Sequence, residues 1–299
     1  MGARLKIIAA MLIWGSMGLL VRNIPLSSGE IALVRGGIGV FFLVTVSFLM
    51  KTPLARRELI HNQPVLLASG IALGVNWILL FEAYQHTTIA NATLSYYLAP
   101  VIITVLSRLV LKEKLTVIKG ICILAALTGL ALVAGVFTAA PPTAGHNLGI
   151  LYGVAAAVAY AGFTLLNKFL KGLTSLAATI AQLGVAALVL LPYTLFTGDA
   201  TAVIAGRTVL LLIILGIIHT GMAFWLFFSA VKDLKAQTVA VFSYIDPVTA
   251  IILSACLLDE KMGPVQILGA CLILGSTLLS EICGSFNLRV VAHKPVKTV

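Results

Sequence analysis

Of 299 residues, 60% are hydrophobic and only 10% are charged, against a charged share of about a quarter in soluble domains. That composition excludes a soluble enzyme or a nucleic-acid-binding domain and predicts an integral membrane protein, so the net charge of +10 needs another explanation than nucleic acid or an acidic partner.

Apolar stretches of about 20 residues, each able to cross roughly 30 Å of hydrocarbon as a helix, recur along the chain. They predict an all-α membrane fold of ten transmembrane helices, at 5–22, 31–50, 64–83, 90–111, 118–136, 148–167, 174–196, 208–228, 236–257 and 263–283. The first stretch follows Arg4 and Lys6 as a signal peptide would, but Gly18 to Arg22 offers no small-x-small cleavage site, so it counts as a span. After the fifth comes the longest interruption, Phe137 to Asn147, with Pro141, Pro142 and Gly145. It divides the chain into halves of five spans, 1–137 and 147–283, and leaves 284–299 as a cationic tail of little order.

The halves are related. Residues 74–114 lie over 221–261 at a constant offset of 147, and twelve of the 41 aligned pairs are identical, among them Gly74/Gly221, Tyr97/Tyr244, Pro100/Pro247, Glu113/Glu260 and Lys114/Lys261. Five spans per half is an odd number, so the second half must enter the bilayer from the opposite side, giving inverted-topology repeats. Charge placement agrees. With the N-terminus inside, sixteen of the 20 cations fall on cytoplasmic segments; Arg22, Arg207 and Lys261 fall outside, and Arg35 lies within a span. This positive-inside bias predicts cytoplasmic N- and C-termini. Cys122, Cys256, Cys271 and Cys283 lie in or at the ends of apolar spans without paired spacing, which suits small buried hydrophobes better than disulfides or a metal site. No P-loop or glycine-rich dinucleotide fingerprint is present, so no cofactor is expected.

Polar groups at membrane depth are the candidates for chemistry, because an ionisable side chain there is costly. Asp246 lies midway along the ninth span, immediately before Pro247, whose ring removes a backbone hydrogen bond. A carboxylate beside loosened backbone suits an amino group, a cation or a proton. His219, in the eighth span, is a second candidate for proton coupling or an interhelical donor. Arg35 stands one turn into the second span, where it can snorkel to the interface; gating and structure are its expected roles, as they are for Pro100 and Pro247. Glu82 is expected to be solvated at the end of the third span. Trp14/Tyr160, Trp77/Phe224 and Tyr97/Tyr244 are related by the repeat, and a pseudo-two-fold axis would place them around one central volume able to bind a small organic solute. Asn76, beside Trp77, would add an orienting amide. Gly36, Gly37, Gly39, Gly70 and Gly74 offer close helix approach.

The run from Gly221 to Lys232, then Lys235-Ala236, Tyr244-Ile245-Asp246-Pro247, Glu260-Lys261 and Gly269, resembles the second repeat of EamA-type members of the drug/metabolite transporter superfamily. Arg35, Ala83, Pro100 and Glu113-Lys114 form a fainter first copy. The resemblance implies ten helices in two inverted halves and secondary transport of small metabolites across the bacterial inner membrane, most often export, by alternating access around a central cavity; members include exporters of amino acids. The leading expectation is an exporter of amino acids or similar small zwitterionic or amphiphilic metabolites, as a monomer or homodimer. An uptake carrier for a cationic or quaternary amine is the competing expectation, and a membrane-embedded enzyme or receptor the one from another class. Two departures stand out: Ala99 occupies the place of Asp246, and Glu113 to Gly120 is shorter than Glu260 to Gly269.

Overall fold

The computed structural model describes residues 2–52, 56–111, 116–134, 145–197, 205–231, 233–234, 236–260 and 262–292, and every regular element among them is helical. The first half comprises α1 (Ala3–Gly15), α2 (Met17–Arg22), α3 (Ser28–Leu49), α4 (Arg56–His61), α5 (Gln63–His86), α6 (Ile89–Tyr96), α7 (Ala99–Leu111) and α8 (Val117–Val133). The second begins with α9 (His146–Asn167), α10 (Ser175–Thr197) and α11 (Gly206–Ile214), which runs through a π-helical stretch, Leu215–Met222, into α12 (Ala223–Val231). It ends with α13 (Ala236–Ser243), α14 (Ile245–Leu257) and α15 (Pro264–Ala292).

Seven helical rods are long and apolar enough to cross a membrane, and Val117–Val133, Ile245–Leu257 and Pro264–Ser280 are shorter apolar helices. The expected ninth span is shorter because it breaks at Tyr244, before Pro247. Residues 135–136 of the expected fifth span, like Glu113-Lys114 and Lys261, lie outside the described residues. The last helix continues to Ala292, past the expected end at 283.

Local chemistry explains the boundaries. Ser27 caps α3 through a capping box: its hydroxyl accepts from Glu30 N at 3.3 Å while its backbone N–H donates to Glu30 Oε2 at 2.8 Å. At Ser16 the ladder of the first rod forks, the backbone N–H reaching both Leu12 and Ile13 carbonyls at 3.2 Å, and the hydroxyl bonds back to Ile13 O at 2.8 Å. Such back-bonding bends helices. The fourth rod breaks between α6 and α7, and the ninth between α13 and α14, in each case leaving a proline in the first turn of the second piece, where its missing N–H costs least.

The halves interlock, and their contacts exchange when one half is substituted for the other. α5 packs on α9 as α12 packs on α1; α6 and α7 pack on α9 as α14 packs on α1; α3 packs on the π-helical stretch as α10 packs on α5. Two pairs map onto themselves, α3 with α10 and α8 with α15. Both run antiparallel. Gly29 faces Tyr193 and Thr194 while Gly36 faces Ala187; Gly129 faces Gly269 and Ile273 while Gly269 also meets Leu132 and Val133. A Cβ on Gly129 or on Gly269 would sit 2.7 Å from the other's carbonyl oxygen, so only glycine fits this crossing. Gly129, rather than Gly120, is thus the partner of Gly269. Of the five glycines expected to permit close approach, Gly36, Gly39, Gly70 and Gly74 meet a neighbouring helix, whereas Gly37 has nothing within 4 Å.

The surface is apolar and the interior polar in places, as a bilayer demands. Phe41, Phe48, Leu195 and Phe196 are each at least 75% exposed, while Arg35, Asn76, Gln182, His219 and Thr220 are buried. The cysteines depart from expectation. Cys122 is buried, but Cys256 and Cys271 are on the apolar surface, where lipid rather than protein shields a small hydrophobe; the Cys283 side chain lies outside the described residues.

Candidate functional site

Irregular backbone gathers at one level of the bundle. The fork at Ser16, the α6–α7 joint at Tyr97, the α13–α14 joint at Tyr244 and the π-helical stretch around His219 are all brought together by contacts between their helices. Broken helices free backbone polar groups that are tolerated at membrane depth only where protein or a polar solute meets them.

Asp246 stands in the first turn of α14, where the positive end of the helix dipole favours a carboxylate. Tyr97, from the other half, places its hydroxyl 3.0 Å from Asp246 Oδ2 and 3.2 Å from the Ser243 carbonyl, and its single proton can serve one of them at a time. The Tyr97 and Tyr244 rings are 6.3 Å apart. Tyr96 extends the aromatic wall, 6.1 Å from Tyr97 and 5.6 Å from Tyr160, which in turn contacts Phe163.

The remaining expected aromatics are divided. Trp14 joins a second cluster with Phe224 at 5.2 Å and Phe227 at 5.3 Å, and its indole N–H donates to the His219 carbonyl at 3.0 Å. Trp77 is buried beneath Arg35 in a third. Among the three repeat-related pairs, ring contact joins Tyr97 with Tyr244; Trp14 instead meets Phe224, and Tyr160 meets Tyr96. Asn76 spends its amide N–H on the Ala156 carbonyl at 2.8 Å, a bond between α5 and α9, so that donor is committed to packing.

Residues 14–17 are the meeting point of the ionisable groups. Trp14 and Ser16 hold His219, the Ser16 hydroxyl lying 3.0 Å from His219 Nε2; Gly15 packs on the Asp246 carbonyl; and the Met17 sulfur receives the Arg35 Nη1 donor at 2.7 Å. Tyr84 is buried with its ring 6.4 Å from that of Phe81. The snorkelling expected of Arg35 does not occur: it is 2% exposed, folded inward over Trp77 and Phe81. Inward packing is possible because those ring faces stabilise a cation where water cannot. Glu82, expected to be solvated, is half-buried and lies 3.5 Å from His86. Among the described residues no three His, Cys, Asp or Glu side chains are grouped as a metal ion would require.

Away from these joints, Glu260 ties three rods together. It pairs with Arg22 at the end of α2, accepts from the Ile89 N–H at the start of α6 at 2.9 Å, and accepts from the Ser254 hydroxyl of α14. Sequence inspection overlooked this clamp, as it overlooked Ser16, Tyr84 and Tyr96. In the sequence Glu260 stands out only as the repeat copy of Glu113, and the adjacency of Tyr96 to Tyr97 is the available signal for the tyrosine wall.

An apolar multi-pass helical bundle of two interlocked, sequence-related halves, with its polar residues gathered at helix breaks, is the architecture of a membrane transporter. Comparison with known proteins gives the particular kind. The EamA-like transporter family matches twice, over residues 2–135 and 147–281, and the chain belongs to that family and so to the drug/metabolite transporter superfamily. It is 30% identical to a Bacillus subtilis protein named as an uncharacterized transporter, YxxF, over 97% of this chain and 93% of the other. It is also similar to the Escherichia coli protein RarD, 26% identical over 86% of each. A solved crystal structure, at 20% identity, shares the fold with a TM-score of 0.66, covering 95% of this chain and 98% of the other.

Proposed function

We propose that this membrane transporter is a secondary exporter of amino acids or similar small zwitterionic metabolites, working by alternating access between two inverted five-helix halves. The observation that carries the proposal is the Asp246–Tyr97 contact: a carboxylate at a helix break in one half, held by a hydroxyl from the equivalent break in the other. A solute engaging that carboxylate sits on the seam along which the halves move. Antiparallel packing of α3 with α10 and of α8 with α15 supports inversion. The surplus of cations on the segments assigned to the cytoplasm supports an inner-membrane location with both termini inside. Trp14, Phe224, Tyr160 and Tyr244 provide the apolar walls, and Asp246 or His219 carries the proton if transport is proton-coupled.

Alternating access requires ends that close in turn. In this reading the Glu260 clamp, which joins α2, α6 and α14, is the contact that holds one end shut and is released to open it. The tyrosines around Asp246 favour a second solute class, since a carboxylate with aromatic faces also suits a cationic or quaternary amine taken up from outside.

Counterflow in liposomes of known protein orientation tests the proposal. Exchange of labelled amino acids, weakened in Asp246→Asn, is the expected result. Exchange restricted to amines selects the second class, and a protein that moves no solute but chemically converts one is an enzyme.

A further inference from the structure

Burying a guanidinium in a membrane interior costs several kcal/mol unless its charge is met, and Arg35 is 2% exposed. Among the described residues no carboxylate pairs with it; the ion pairs there are Arg22–Glu260 and Glu82–His86. Its polar contact is the Met17 sulfur, a weak acceptor, and its buried Nε has no acceptor. Trp77 at 4.3 Å and Phe81 at 5.2 Å offset part of the desolvation but supply no oxygen to the N–H donors.

The other half shows how a packing residue looks at this position. Gln182, the repeat counterpart of Arg35, is equally buried and has both N–H donors engaged, from Nε2 to Ser69 Oγ at 2.9 Å and to Asn167 Oδ1 at 2.7 Å. A neutral amide with good partners satisfies the fold there. Arg35 is instead a planar charge short of acceptors, held in place by ring faces.

Across the same bend in the first rod stands the opposite charge. Met17 touches Arg35 and Gly15 packs against the Asp246 backbone carbonyl, so both charged residues adjoin the same bend, and among the described residues no ion pair joins them.

We propose that Arg35 is the carboxylate-binding arm of the solute site, so that a zwitterionic α-amino acid sets its carboxylate on the free Arg35 donors and its ammonium toward Asp246. The proposal rests on the transport function assigned above to the Asp246 joint and narrows its substrate class. Bound in this way the solute provides each charge with its missing counter-ion, whereas an amine or a simple carboxylic acid leaves one of them unmet. The fork of Arg, unlike the ammonium of Lys, matches a carboxylate with two parallel bonds.

The test uses the purified full-length protein in detergent and measures its thermal midpoint with each standard L-amino acid, its methyl ester and its N-acetyl derivative. The expected result is that at least one amino acid raises the midpoint while its ester binds about ten- to a hundredfold more weakly, the cost of losing a charge-assisted pair of bonds. The discrimination between acid and ester shrinks in Arg35→Lys and vanishes in Arg35→Gln. Should Arg35→Gln fail to fold, the wild-type comparison and Arg35→Lys still decide. An ester as effective as its acid, or no amino acid shifting the midpoint at all, overturns the proposal. The two ideas fail differently: amines that shift the midpoint and exchange in counterflow would remove Arg35 from the site and leave transport at Asp246 intact, whereas absence of any counterflow would remove both.

Discussion

Tyr97 and Pro100 in the first half occupy the places of Tyr244 and Pro247 in the second, and both rods break there, bringing the two tyrosine rings within 6.3 Å. Yet Asp246 stands where the first half has Ala99, His219 where it has Ala72, and Arg35 where the second half has Gln182. Shared residues make the joints and crossings that let two halves fit one another. Unshared residues bring charge to those joints. A duplicated scaffold can therefore keep its packing while its chemistry becomes one-sided, because packing depends on shape at many positions and a binding site on charge at a few.

The largest effect should come from the scaffold and should be equal in both halves. Gly129→Leu and Gly269→Leu each drive a side chain into opposing backbone, at a cost of about 3 kcal/mol or more. Both should abolish a monodisperse peak in size-exclusion chromatography; if one variant folds normally, the crossing is not the matched pair described here. The next effect should be unequal. Asp246→Asn should weaken solute exchange by about ten- to a hundredfold in counterflow, and adding Ala99→Asp should not restore it, since Arg35 and His219 have no charged copies opposite. Full rescue would mean that the halves are interchangeable at this level.

The clamp comes third. Glu260→Gln weakens the charge-assisted bonds to Arg22 and to the Ile89 N–H, and exchange of the Ile89 amide with deuterium should rise about tenfold. Unchanged exchange would show that α6 is held by packing alone. Smallest is Tyr97→Phe, which removes the hydroxyl 3.0 Å from Asp246 and should weaken solute binding about fivefold, equivalent to about 1 kcal/mol. Thermal-shift titration with an amino acid that raises the wild-type midpoint would measure it, and an unaltered affinity would detach Tyr97 from the site.

Much of the fold is legible in local sequence. Apolar runs mark the rods, Ser27 and Glu30 mark the start of α3, and Pro100 and Pro247 mark the two joints to within a turn. Asp246 is conspicuous because it is an acid in an apolar run. The direction taken by Arg35 was not legible, since the same long side chain can reach the interface or turn inward, and only the faces of Trp77 and Phe81 decide between them. Nor does a run such as Leu215–Met222 announce a π-helical turn; that geometry arises where Gly216 and Gly221 pack on Ile38 and Phe42 of α3. The three aromatic pairs were matched by position, but position in a repeat specifies equivalence, not contact.

By itself the sequence determined the solvent, the helical class, the two related halves and the family, because hydropathy, charge bias and a constant offset are properties of neighbours along a chain. Tertiary structure decided which distant groups share a site: Trp14 with His219, Tyr97 with Asp246, and Glu260 with Arg22 and Ile89. Each of those contacts spans at least 149 residues and depends on how rods cross and where they bend. Crossing and bending come from close packing summed over whole helices, and no short stretch of sequence contains that sum.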